Sequence, residues 1–480
     1  MTSAHPFWLA GKPATSGNLQ KVVHPGDGSL VGEYHVPTKA QVEQAVSAAW
    51  TVRHEFQRTT AAQRAEALMQ ISRELAQRVD EIAKLIVEEN GKPLMWAKAE
   101  AGRATTVFRW AAEEVRRFSG EVQRLDTEAA AAGRMAIIRR FPHGPVLGIS
   151  PFNFPMNLVA HKVAPAIAVG APIIVKPAPS TPLSALLLGE ILSHVDLPEG
   201  AWSVLPIANE DAPALVADPR LPVVSFTGSD KVGYEIQKAV PNKHITLELG
   251  GNAAAIVSED WNSDADLDWA ATRIATFANY QAGQSCISVQ RVLIHENLYD
   301  KLTEKIINAV KGLKNGDPRD EKTVVGPLIN EAAAIRVEDW VNEAVANGAK
   351  LLTGGKRNGS FFDPTVLANV PLDAKVSCNE VFGPVMLVHK VSSFDEAIAV
   401  VNDSIFGLQT GVFTHDIQKA FHAHRELEVG GVIIGDVPSY RSDQMPYGGI
   451  KASGVGKEGL RYAMQDFTHE RIMVLSGLDL

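Results

Sequence analysis

One short stretch of small and amide-bearing residues contains the side chain best suited to nucleophilic chemistry. Cys286 ends the sequence Gln281-Ala-Gly-Gln-Ser-Cys and is one of two cysteines in 480 residues, so it has no obvious disulfide role. Its small neighbours let the backbone turn tightly, so that the thiol and its own N–H can face a cleft. A lone cysteine is also commonly a small buried hydrophobic residue, and this stretch alone leaves both interpretations open.

Two residues at or near the ends of predicted strands have side chains that can assist a nucleophile. The sequence Pro151-Phe-Asn-Phe-Pro155 follows a predicted strand, and its prolines would stiffen the loop and hold Asn153 out as an amide donor. Glu248 ends an apolar strand just before Gly250 and Gly251. It is either an edge charge or a base whose pKa is raised in a cleft. A cysteine, an amide and a carboxylate together indicate covalent catalysis at a carbonyl group.

Two more strand ends indicate a nucleotide site. Lys176 ends a predicted strand, which puts an ammonium group at the edge where a doubly wound sheet binds nucleotides. A surface lysine is the simpler interpretation of this residue taken alone. Thr227, Gly228 and Ser229 join a strand to a helix, and such a turn presents N–H groups to a phosphate. The turn is neither the GxGxxG fingerprint nor a Walker loop.

The elements that must position these residues follow an alternating pattern. From Pro145 onwards strands alternate with helices, which is typical of βαβ units, a parallel sheet and binding loops at the carboxyl ends of strands. A second series of such segments begins with the helix before Cys286. We therefore predict an α/β fold with two doubly wound α/β domains, a cleft between them and a small bridging β-hairpin.

The sequence before residue 120 predicts three helices. A capping-box signature at Thr38 and Gln41 opens the first of them. Apolar residues at steps of three and four, from Leu68 to Ile86, predict one continuous second helix. The third covers roughly 96–118, and we expect it to turn Glu113 and Glu114 towards solvent.

The composition excludes several classes of function. The formal charge of −9 argues against a nucleic-acid partner, because phosphates call for a basic face. The longest apolar run, 163–175, is interrupted by two prolines and a glycine and is too short to span a bilayer. Two cysteines fit a reducing compartment, and the N-terminus lacks the pattern of a signal peptide. We expect a soluble cytoplasmic protein that has no membrane or nucleic-acid partner.

Seven motifs, taken in order along the chain, resemble those of the NAD(P)-dependent aldehyde dehydrogenase superfamily. Each motif is weak alone, but seven in order at similar spacing are very specific, and together they cover nearly the whole chain. The motifs are Pro151-Phe-Asn-Phe-Pro155, Ile174-Val-Lys-Pro-Ala178, Phe226-Thr-Gly-Ser229, Leu247-Glu-Leu-Gly-Gly251, Gly283-Gln-Ser-Cys286, Glu380-Val-Phe-Gly-Pro384 and Pro446-Tyr-Gly-Gly-Ile-Lys-Ala-Ser-Gly454. The resemblance implies an NAD(P)-binding domain over 1–119 and 143–249, a catalytic domain over 250–465, and a bridging element over 120–142 and 466–480.

The resemblance also implies oxidation of an aldehyde to its acid through covalent intermediates on Cys286. The thiol would add to the aldehyde while the Asn153 amide and the Cys286 N–H stabilise the oxyanion, and the thiohemiacetal would pass hydride to the cofactor. Glu248 would activate the water that hydrolyses the resulting thioester. Glu458 matches a carboxylate that is sometimes assigned to proton relay, and a surface charge is an equally good account of it.

The same resemblance implies NAD or NADP as the cofactor and calls for no metal ion. Where NAD-preferring members have a carboxylate three residues after the lysine, this chain has Pro179, followed by Ser180. A carboxylate there would repel a 2′-phosphate, so its absence leaves both cofactors open. The residues expected to contact the dinucleotide are Phe152, Lys176, Ser180, Gly228, Ser229, Glu380 and Phe382.

The stretch 439–446 resembles a subgroup that acts on short hydroxy- or anion-bearing aldehydes, such as lactaldehyde and sulfolactaldehyde. In that subgroup, arginines that match Arg103 and Arg441 are thought to bind the anion. An ordinary helix-surface salt bridge is the alternative for Arg103. Ser285 stands where some phosphate-handling members have an arginine, which argues against a phosphorylated substrate.

Two alternative functions use the same fold. A coenzyme-A-acylating enzyme would release the acyl group to a thiol, but such members usually lack the base at Glu248. A non-catalytic, structural use of the fold is the other alternative, and the joint presence of Cys286, Glu248 and Asn153 argues against it. The hairpin over 120–142 and the strand 470–475 resemble the family's bridging element, and they predict a homodimer or a homotetramer built as a dimer of dimers.

Overall fold

The structure, a computed structural model, describes residues 4–479 and contains two large sheets. The first sheet has eight strands, and the five neighbouring strands from Trp202–Val204 to His244–Glu248 run parallel. Its strands, in spatial order, are Lys12–Ala14, Phe7–Leu9, Trp202–Val204, Ile173–Lys176, Val146–Ile149, Val223–Thr227, His244–Glu248 and Gly454–Val455.

The strand order of the first sheet reverses at one point. The chain enters the parallel part at Val146–Ile149, adds Ile173–Lys176 and Trp202–Val204 on one side, and then crosses over to Val223–Thr227 on the other side. Open α/β sheets bind ligands in the crevice at such a reversal, beyond the carboxyl ends of the strands. The loops that flank this crevice are those that carry Asn153 and Ser229.

The second sheet has seven strands, of which six run parallel and only the edge strand Lys350–Thr353 is antiparallel. In spatial order they are Lys350–Thr353, Thr365–Ala368, Val385–Val391, Arg291–His295, Ala254–Val257, Gln409–Phe413 and Gly431–Ile434. Central strands that are buried along their whole length, such as Ala254–Val257, are expected of parallel sheets covered by helices on their faces. The predicted α/β fold with two main sheets is confirmed.

The helices pack against these sheets. The α-helices are Lys39–Arg58, Ala61–Gln77, Val79–Asn90, Leu94–Val115, Asn157–Val169, Leu183–Leu192, Ala212–Ala217, Asp230–Ala239, Asp264–Asn279, Tyr299–Lys311, Glu331–Ala346, Lys375–Cys378, Phe394–Asn402, Ile417–Glu426 and Leu460–Asp466. Short 3₁₀ helices cover Ala129–Ala131, Asn209–Asp211 and Tyr280–Gly283. Three two-stranded ribbons pair Leu19–Val23 with Leu30–His35, Arg357–Asn358 with Phe361–Phe362, and Phe406–Gly407 with Ile450–Lys451.

The predicted hairpin is part of a small antiparallel sheet. Arg134–Pro142 lies between Glu121–Arg124 and Thr468–Ser476, so the C-terminal strand completes the element, as expected. Before this strand the chain returns from the second sheet to the first, because Gly454–Val455 pairs with His244–Glu248. The domain boundaries stay a prediction. This pairing adds Gly454–Val455, from the predicted catalytic domain, to the sheet of the predicted NAD(P)-binding domain.

Two predictions for the helical region were wrong in detail. The predicted continuous helix is two helices that meet at Arg78, whose backbone is not helical. No glycine or proline marks this break, and the acidic first turn of the following helix at Asp80 and Glu81 is its only sequence signal. Glu114 is buried and bound by Arg117 and Arg461, so it does not face solvent.

Other helix predictions agree with the structure. The capping box at Thr38 and Gln41 is present, and Gly91 ends the helix Val79–Asn90 in a left-handed conformation. Among residues 4–479, no helix combines the length and the apolar character that crossing a bilayer requires.

Candidate active site

A cavity of about 970 Å³ opens where the loops of the two sheets meet. It is lined by most of the residues singled out in the sequence, which come from distant parts of the chain. These are Arg103, Phe152, Asn153, Gly228, Ser229, Glu248, Cys286, Glu380, Phe382, Arg441 and Glu458. Lys176 and Ser180 are not among the lining residues.

A tight turn carries the cysteine to this cavity. Gln281, Ala282 and Gly283 all adopt the left-handed conformation, with φ of 52°, 53° and 69°. A Cβ atom on Gly283 would lie 2.0 Å from the carbonyl oxygen of Gly383, so only glycine fits there. Cys286 follows this turn, is half-buried and lines the cavity. It is therefore not a cysteine sealed in the hydrophobic core.

The Cys286 thiol has a specific polar neighbour that the sequence analysis missed. Its Sγ lies 2.9 Å from the hydroxyl oxygen of Tyr447, and the guanidinium group of Arg441 stacks 3.7 Å from the centroid of the Tyr447 ring. Burial raises the pKa of Cys286 to about 12, and the Tyr447 hydroxyl acts in the opposite direction. The sequence signal was present, because Tyr447 lies inside the last of the seven motifs.

Asn153 is tied to the cysteine turn by two amide groups. Its Nδ2 donates a 3.0 Å hydrogen bond to the carbonyl oxygen of Gln284, and its own carbonyl oxygen accepts one from Gln281 Nε2. The same carbonyl accepts a 2.8 Å hydrogen bond from Lys92 Nζ. The loop that carries the amide and the turn that carries the thiol are therefore held together as one unit.

A buried ion pair supports that unit. Lys92 and Glu100 are both fully buried and form an ion pair with each other. The second carboxylate oxygen of Glu100 accepts the backbone N–H groups of Met156 and Asn157, at 3.0 and 3.1 Å. Burial lowers the pKa of Lys92 to about 8, against the opposing charge of Glu100. Neither residue was singled out from the sequence, because a Lys and a Glu eight residues apart give no signal of burial.

Glu248 ends its strand as predicted and lines the cavity with a buried carboxyl group. Neither of its oxygens has a hydrogen-bond partner among residues 4–479. Burial, reinforced by the negative charge of Glu458, raises its pKa well above the usual value. A Cβ atom on Gly448 would come within 2.8 Å of Glu248 Oε1, so the glycine leaves room for this carboxyl group. The carboxyl group of Glu248 therefore lies in a cleft and is not a charge at the exposed edge of the sheet.

Glu458 is buried, which excludes the interpretation of it as a surface charge. Its carboxylate lies between Lys162 Nζ at 3.3 Å and an Arg441 nitrogen at 3.0 Å. Burial opposes its ionisation, but the two cations outweigh burial and lower its pKa to about 2. Two of the carboxyl groups that line the cavity therefore have opposite tendencies, with Glu458 ionised and Glu248 inclined to keep its proton.

The two arginines each form an ion pair, and each has a buried Nε–H group without an acceptor among residues 4–479. Arg103 binds Asp443 at 2.6 Å, and Asp443 in turn contacts His161 Nε2 at 3.0 Å. Arg441 binds Glu458 and is only 7% exposed. The Nε atoms of Arg103 and Arg441 are both buried, and within the described part of the chain neither has an acceptor. The salt bridge of Arg103 is real, but it uses only part of the guanidinium group.

The turn at Gly228 and Ser229 has the features of a phosphate site. Ser229 occupies the N-cap position of Asp230–Ala239, yet its side chain makes no capping hydrogen bond. Its hydroxyl group is therefore available to a ligand beside the helix N-terminus. Phe152 and Phe382 line the same cavity, with ring centroids 5.9 Å apart in an edge-to-face arrangement.

The other residues expected to contact the dinucleotide differ in their burial and in their hydrogen-bond partners. Glu380 accepts the Gly251 N–H at 2.9 Å, and burial raises its pKa to about 7. Lys176 is buried, donates a 2.8 Å hydrogen bond to Asn209 Oδ1, and has a pKa lowered to about 8 by burial. The surface-lysine interpretation of Lys176 is thus wrong. Ser180 is exposed in the loop that follows its strand.

Known proteins resemble the chain over its whole length. The model of the Aldehyde dehydrogenase family matches residues 12–473. The 3-sulfolactaldehyde dehydrogenase of Priestia aryabhattai is 41% identical over 472 residues, which covers 98% of this chain and 98% of that protein.

Two solved structures illustrate the similarity of fold. Aldehyde dehydrogenase 21 of Physcomitrella patens, in complex with the reaction product succinate, superposes with a TM-score of 0.97 at 43% identity, covering 100% of this chain and 99% of that one. The glyceraldehyde-3-phosphate dehydrogenase of Methanocaldococcus jannaschii, complexed with NADP, gives a TM-score of 0.91 at 35% identity, covering 96% and 100%.

Proposed function

The chain belongs to the aldehyde dehydrogenase family, and from this premise we propose that it oxidises a small, anion-bearing aldehyde to its carboxylic acid with NAD or NADP as hydride acceptor. The observation that carries the proposal is that Cys286, Glu248 and Asn153 line one cavity. A nucleophile, a base and an amide donor that share a cavity are the groups that acyl chemistry at a carbonyl requires.

In the first step the Cys286 thiolate adds to the aldehyde carbon. A C–S bond forms, and the π electrons of the carbonyl group move to its oxygen. Asn153 Nδ2 has one amide hydrogen beyond the one donated to Gln284, and together with the Cys286 N–H this hydrogen would stabilise the oxyanion. One such fixed donor lowers the barrier of comparable reactions by roughly 3 kcal/mol. The thiohemiacetal then loses hydride from carbon and becomes a thioester.

A bound dinucleotide would supply the hydride acceptor. Ser229 with its unused hydroxyl, Gly228, Glu380 and the rings of Phe152 and Phe382 fit such a group because they line the same cavity as Cys286. Lys176 and Ser180 would act at its far end, beyond the cavity. Either NAD or NADP fits, because Pro179 and Ser180 stand after Lys176 where a carboxylate would repel a 2′-phosphate.

Glu248 would release the acid in the second step. As a carboxylate it takes a proton from water, the water oxygen adds to the thioester carbon, and collapse of the adduct breaks the C–S bond. The step regenerates the Cys286 thiolate and gives one carboxylic acid. Because burial and Glu458 raise the pKa of Glu248, the reactive carboxylate grows in population as the pH rises. Deacylation should therefore speed up towards alkaline pH.

The two arginines support the proposal that the substrate carries an anionic group. Arg103 and Arg441 each have a buried Nε–H group without an acceptor in the described chain, and both line the cavity. A buried unpaired donor is costly, so an anionic substrate that accepts both would be favoured. The relatives point the same way, since one is named for a sulfonated aldehyde and another binds the dicarboxylate succinate. Ser285 before the nucleophile argues against a phosphate.

The proposal is tested with purified protein, both cofactors and a panel of three- and four-carbon aldehydes that carry a sulfonate, a carboxylate, a phosphate or a hydroxyl group. We expect NAD(P)H formation, fastest with a sulfonate or carboxylate, and none with Cys286→Ala. Activity in the Cys286→Ala variant would contradict the nucleophile. Dependence on coenzyme A would favour the acylating alternative, and no reduction with any aldehyde would favour the structural one.

We also propose that the enzyme is a homodimer or a homotetramer working in a reducing compartment such as the cytoplasm. The small three-stranded sheet supports the oligomer, because it leaves apolar side chains exposed at Val122, Ile472, Met473 and Val474. Patches of this kind commonly mark subunit contacts. Light scattering that gives only the 51.7 kDa monomer would contradict the proposal.

A further inference from the structure

The hydroxyl group of Tyr447 is the polar atom that contacts the Cys286 sulfur in the described part of the chain. The O–S distance is 2.9 Å, and Tyr447 is only 3% exposed. Two contacts fix the position of Tyr447. Its backbone pairs with that of Glu458, and its ring packs with Ile287 and Leu408. The contact therefore belongs to a rigid element and is not a chance approach of a mobile side chain.

Two features make this hydroxyl a donor towards sulfur. Burial and the neighbouring thiol raise the pKa of Tyr447 well above its usual value, so the phenol keeps its proton. Arg441 stacks on the ring face at 3.7 Å, and a cation in that position draws electron density from the ring and polarises the O–H bond. Arg441 also favours ionisation of Cys286 directly through its charge, whereas Glu380 and Glu248 oppose it.

We propose that Tyr447 is a catalytic residue of the first step, whose hydroxyl group donates a hydrogen bond to the Cys286 thiolate and sets how readily the thiol ionises. On ionisation the S–H bond breaks and the proton is released to solvent water, while Tyr447 keeps its own proton. When the C–S bond forms, the sulfur loses its charge and the hydrogen bond weakens. The role in aldehyde oxidation rests on the proposed function, whereas the contact itself does not.

The size of the effect follows from the strength of the bond. A hydrogen bond to a charged group corresponds to a shift of about one to two pKa units. Each unit changes the thiolate population about tenfold, but the nucleophilicity of the thiolate falls as its pKa falls and offsets roughly half of that on a logarithmic scale. Loss of the hydroxyl group should therefore slow the reaction of Cys286 with an electrophile about 3- to 10-fold below the thiol pKa.

The experiment measures alkylation of Cys286 by iodoacetamide over a pH series, in a Cys378→Ser background that removes the exposed second thiol. We expect Tyr447→Phe to react about 3- to 10-fold more slowly, with the ultraviolet titration of the thiolate shifted to higher pH. Tyr34→Phe is the matched control, because Tyr34 is also 3% exposed and its hydroxyl bonds the carbonyl oxygen of Pro179 instead. Its rate should equal that of the parent.

The direction of the change in alkylation rate separates this role from a merely structural one. If Tyr447→Phe only loosened the cavity, water would reach the thiol, its pKa would fall towards the usual value and alkylation would become faster. A faster rate, or one within twofold of the parent, overturns the proposal. If Tyr447→Phe does not fold, Tyr447→Met takes its place, because its flexible side chain can fill the space of the ring without a hydroxyl group, and the same slowing is expected. Alkylation needs no aldehyde or dinucleotide, so failure of the proposed function would be seen separately, as absent NAD(P)H formation.

Discussion

The cavity has two walls that differ in how completely their polar groups are paired. The anchored wall consists of the lining residues Glu100, Asn153 and Gln281 together with Lys92 and Gln284, which bind them; the group hydrogen-bonds internally and to neighbouring backbone. The open wall consists of Arg103, Glu248 and Arg441, where four buried polar atoms lack a partner among residues 4–479. Buried polar groups are normally paired, so the open wall is where substrate and water must complete the bonds.

The difference separates stability from chemistry. In the anchored wall Gln281 Oε1 is the one buried side-chain atom without a partner within residues 4–479, so a substitution there, at residues other than Asn153, should mainly cost folding free energy. In the open wall the Glu248 carboxyl group is buried without any hydrogen bond to the described residues, so a substitution of Glu248 should mainly cost activity and can even stabilise the fold. The predictions below can break or sharpen this contrast.

Glu248→Gln should have the largest effect on activity. Loss of the base should lower kcat about 10²- to 10⁴-fold, as general-base catalysis typically contributes. Because the first step survives, the acyl group should accumulate on Cys286 and be visible by mass spectrometry of the intact protein. A variant that turns over slowly but shows no acylated enzyme would place the role of Glu248 in the first step.

The same variant should be more stable than the parent, increasingly so at higher pH. The pKa of Glu248 is raised in the folded protein, so the parent loses stability as the pH rises through that folded-state value. Glutamine cannot ionise, and the variant avoids this loss. Thermal unfolding of both proteins over a pH series measures the gap. A gap that stays constant or narrows with pH would show that Glu248 is not buried without a partner.

Glu100→Gln should have the largest effect on stability. It leaves Lys92 as a buried cation without a countercharge, and breaking such pairs typically costs about 3–5 kcal/mol. Burial already lowers the pKa of Lys92 to about 8, and without Glu100 it should fall further. The variant should therefore regain stability as the pH rises and Lys92 loses its proton. Urea unfolding at neutral and alkaline pH measures this, and Lys92→Met combined with Glu100→Gln is the matched control.

The sequence reveals the open wall better than the anchored wall, and the reason is physical. Glu248 of the open wall is an unusual residue at a strand end, and parallel strands collect such positions at one edge of a sheet. In the anchored wall, Lys92 and the Asn153 carbonyl that it binds are 61 residues apart, and nothing local indicates that they meet. Arg78 shows the same limit for the fold, because the helix breaks there without a glycine or proline, at a side chain that pairs with Glu81 and Glu190.

Arg103→Leu should lower kcat/KM for anionic aldehydes about 10- to 100-fold, the range for loss of a charged hydrogen bond. A neutral aldehyde of the same length should change less than about threefold. Arg109→Leu is the matched control, since Arg109 lies on the same helix and pairs with Glu113 in solvent. Equal losses on charged and neutral aldehydes would mean that Arg103 acts only through its salt bridge with Asp443.

The smallest effect is expected at Gln281, where the anchored wall meets the strained turn. Both Gln281→Ala and Gln281→Gly remove the hydrogen bond to the Asn153 carbonyl, worth about 1 kcal/mol. Alanine keeps the left-handed strain at φ 52°, about 1–2 kcal/mol, whereas glycine relieves it. Glycine also loses about 0.5–1 kcal/mol more chain entropy on folding than alanine.

The balance of these terms favours glycine over alanine by about 0.5–1 kcal/mol. Gln281→Gly should therefore unfold at a higher temperature than Gln281→Ala, while kcat falls by a similar few-fold in both because Asn153 has lost the same tether. The kinetic loss would come from the hydrogen bond and the difference in stability from the backbone, so the two measurements separate the two roles. If alanine were the more stable, Gln281 would not carry backbone strain, and the anchored wall would owe its rigidity to side-chain pairing alone.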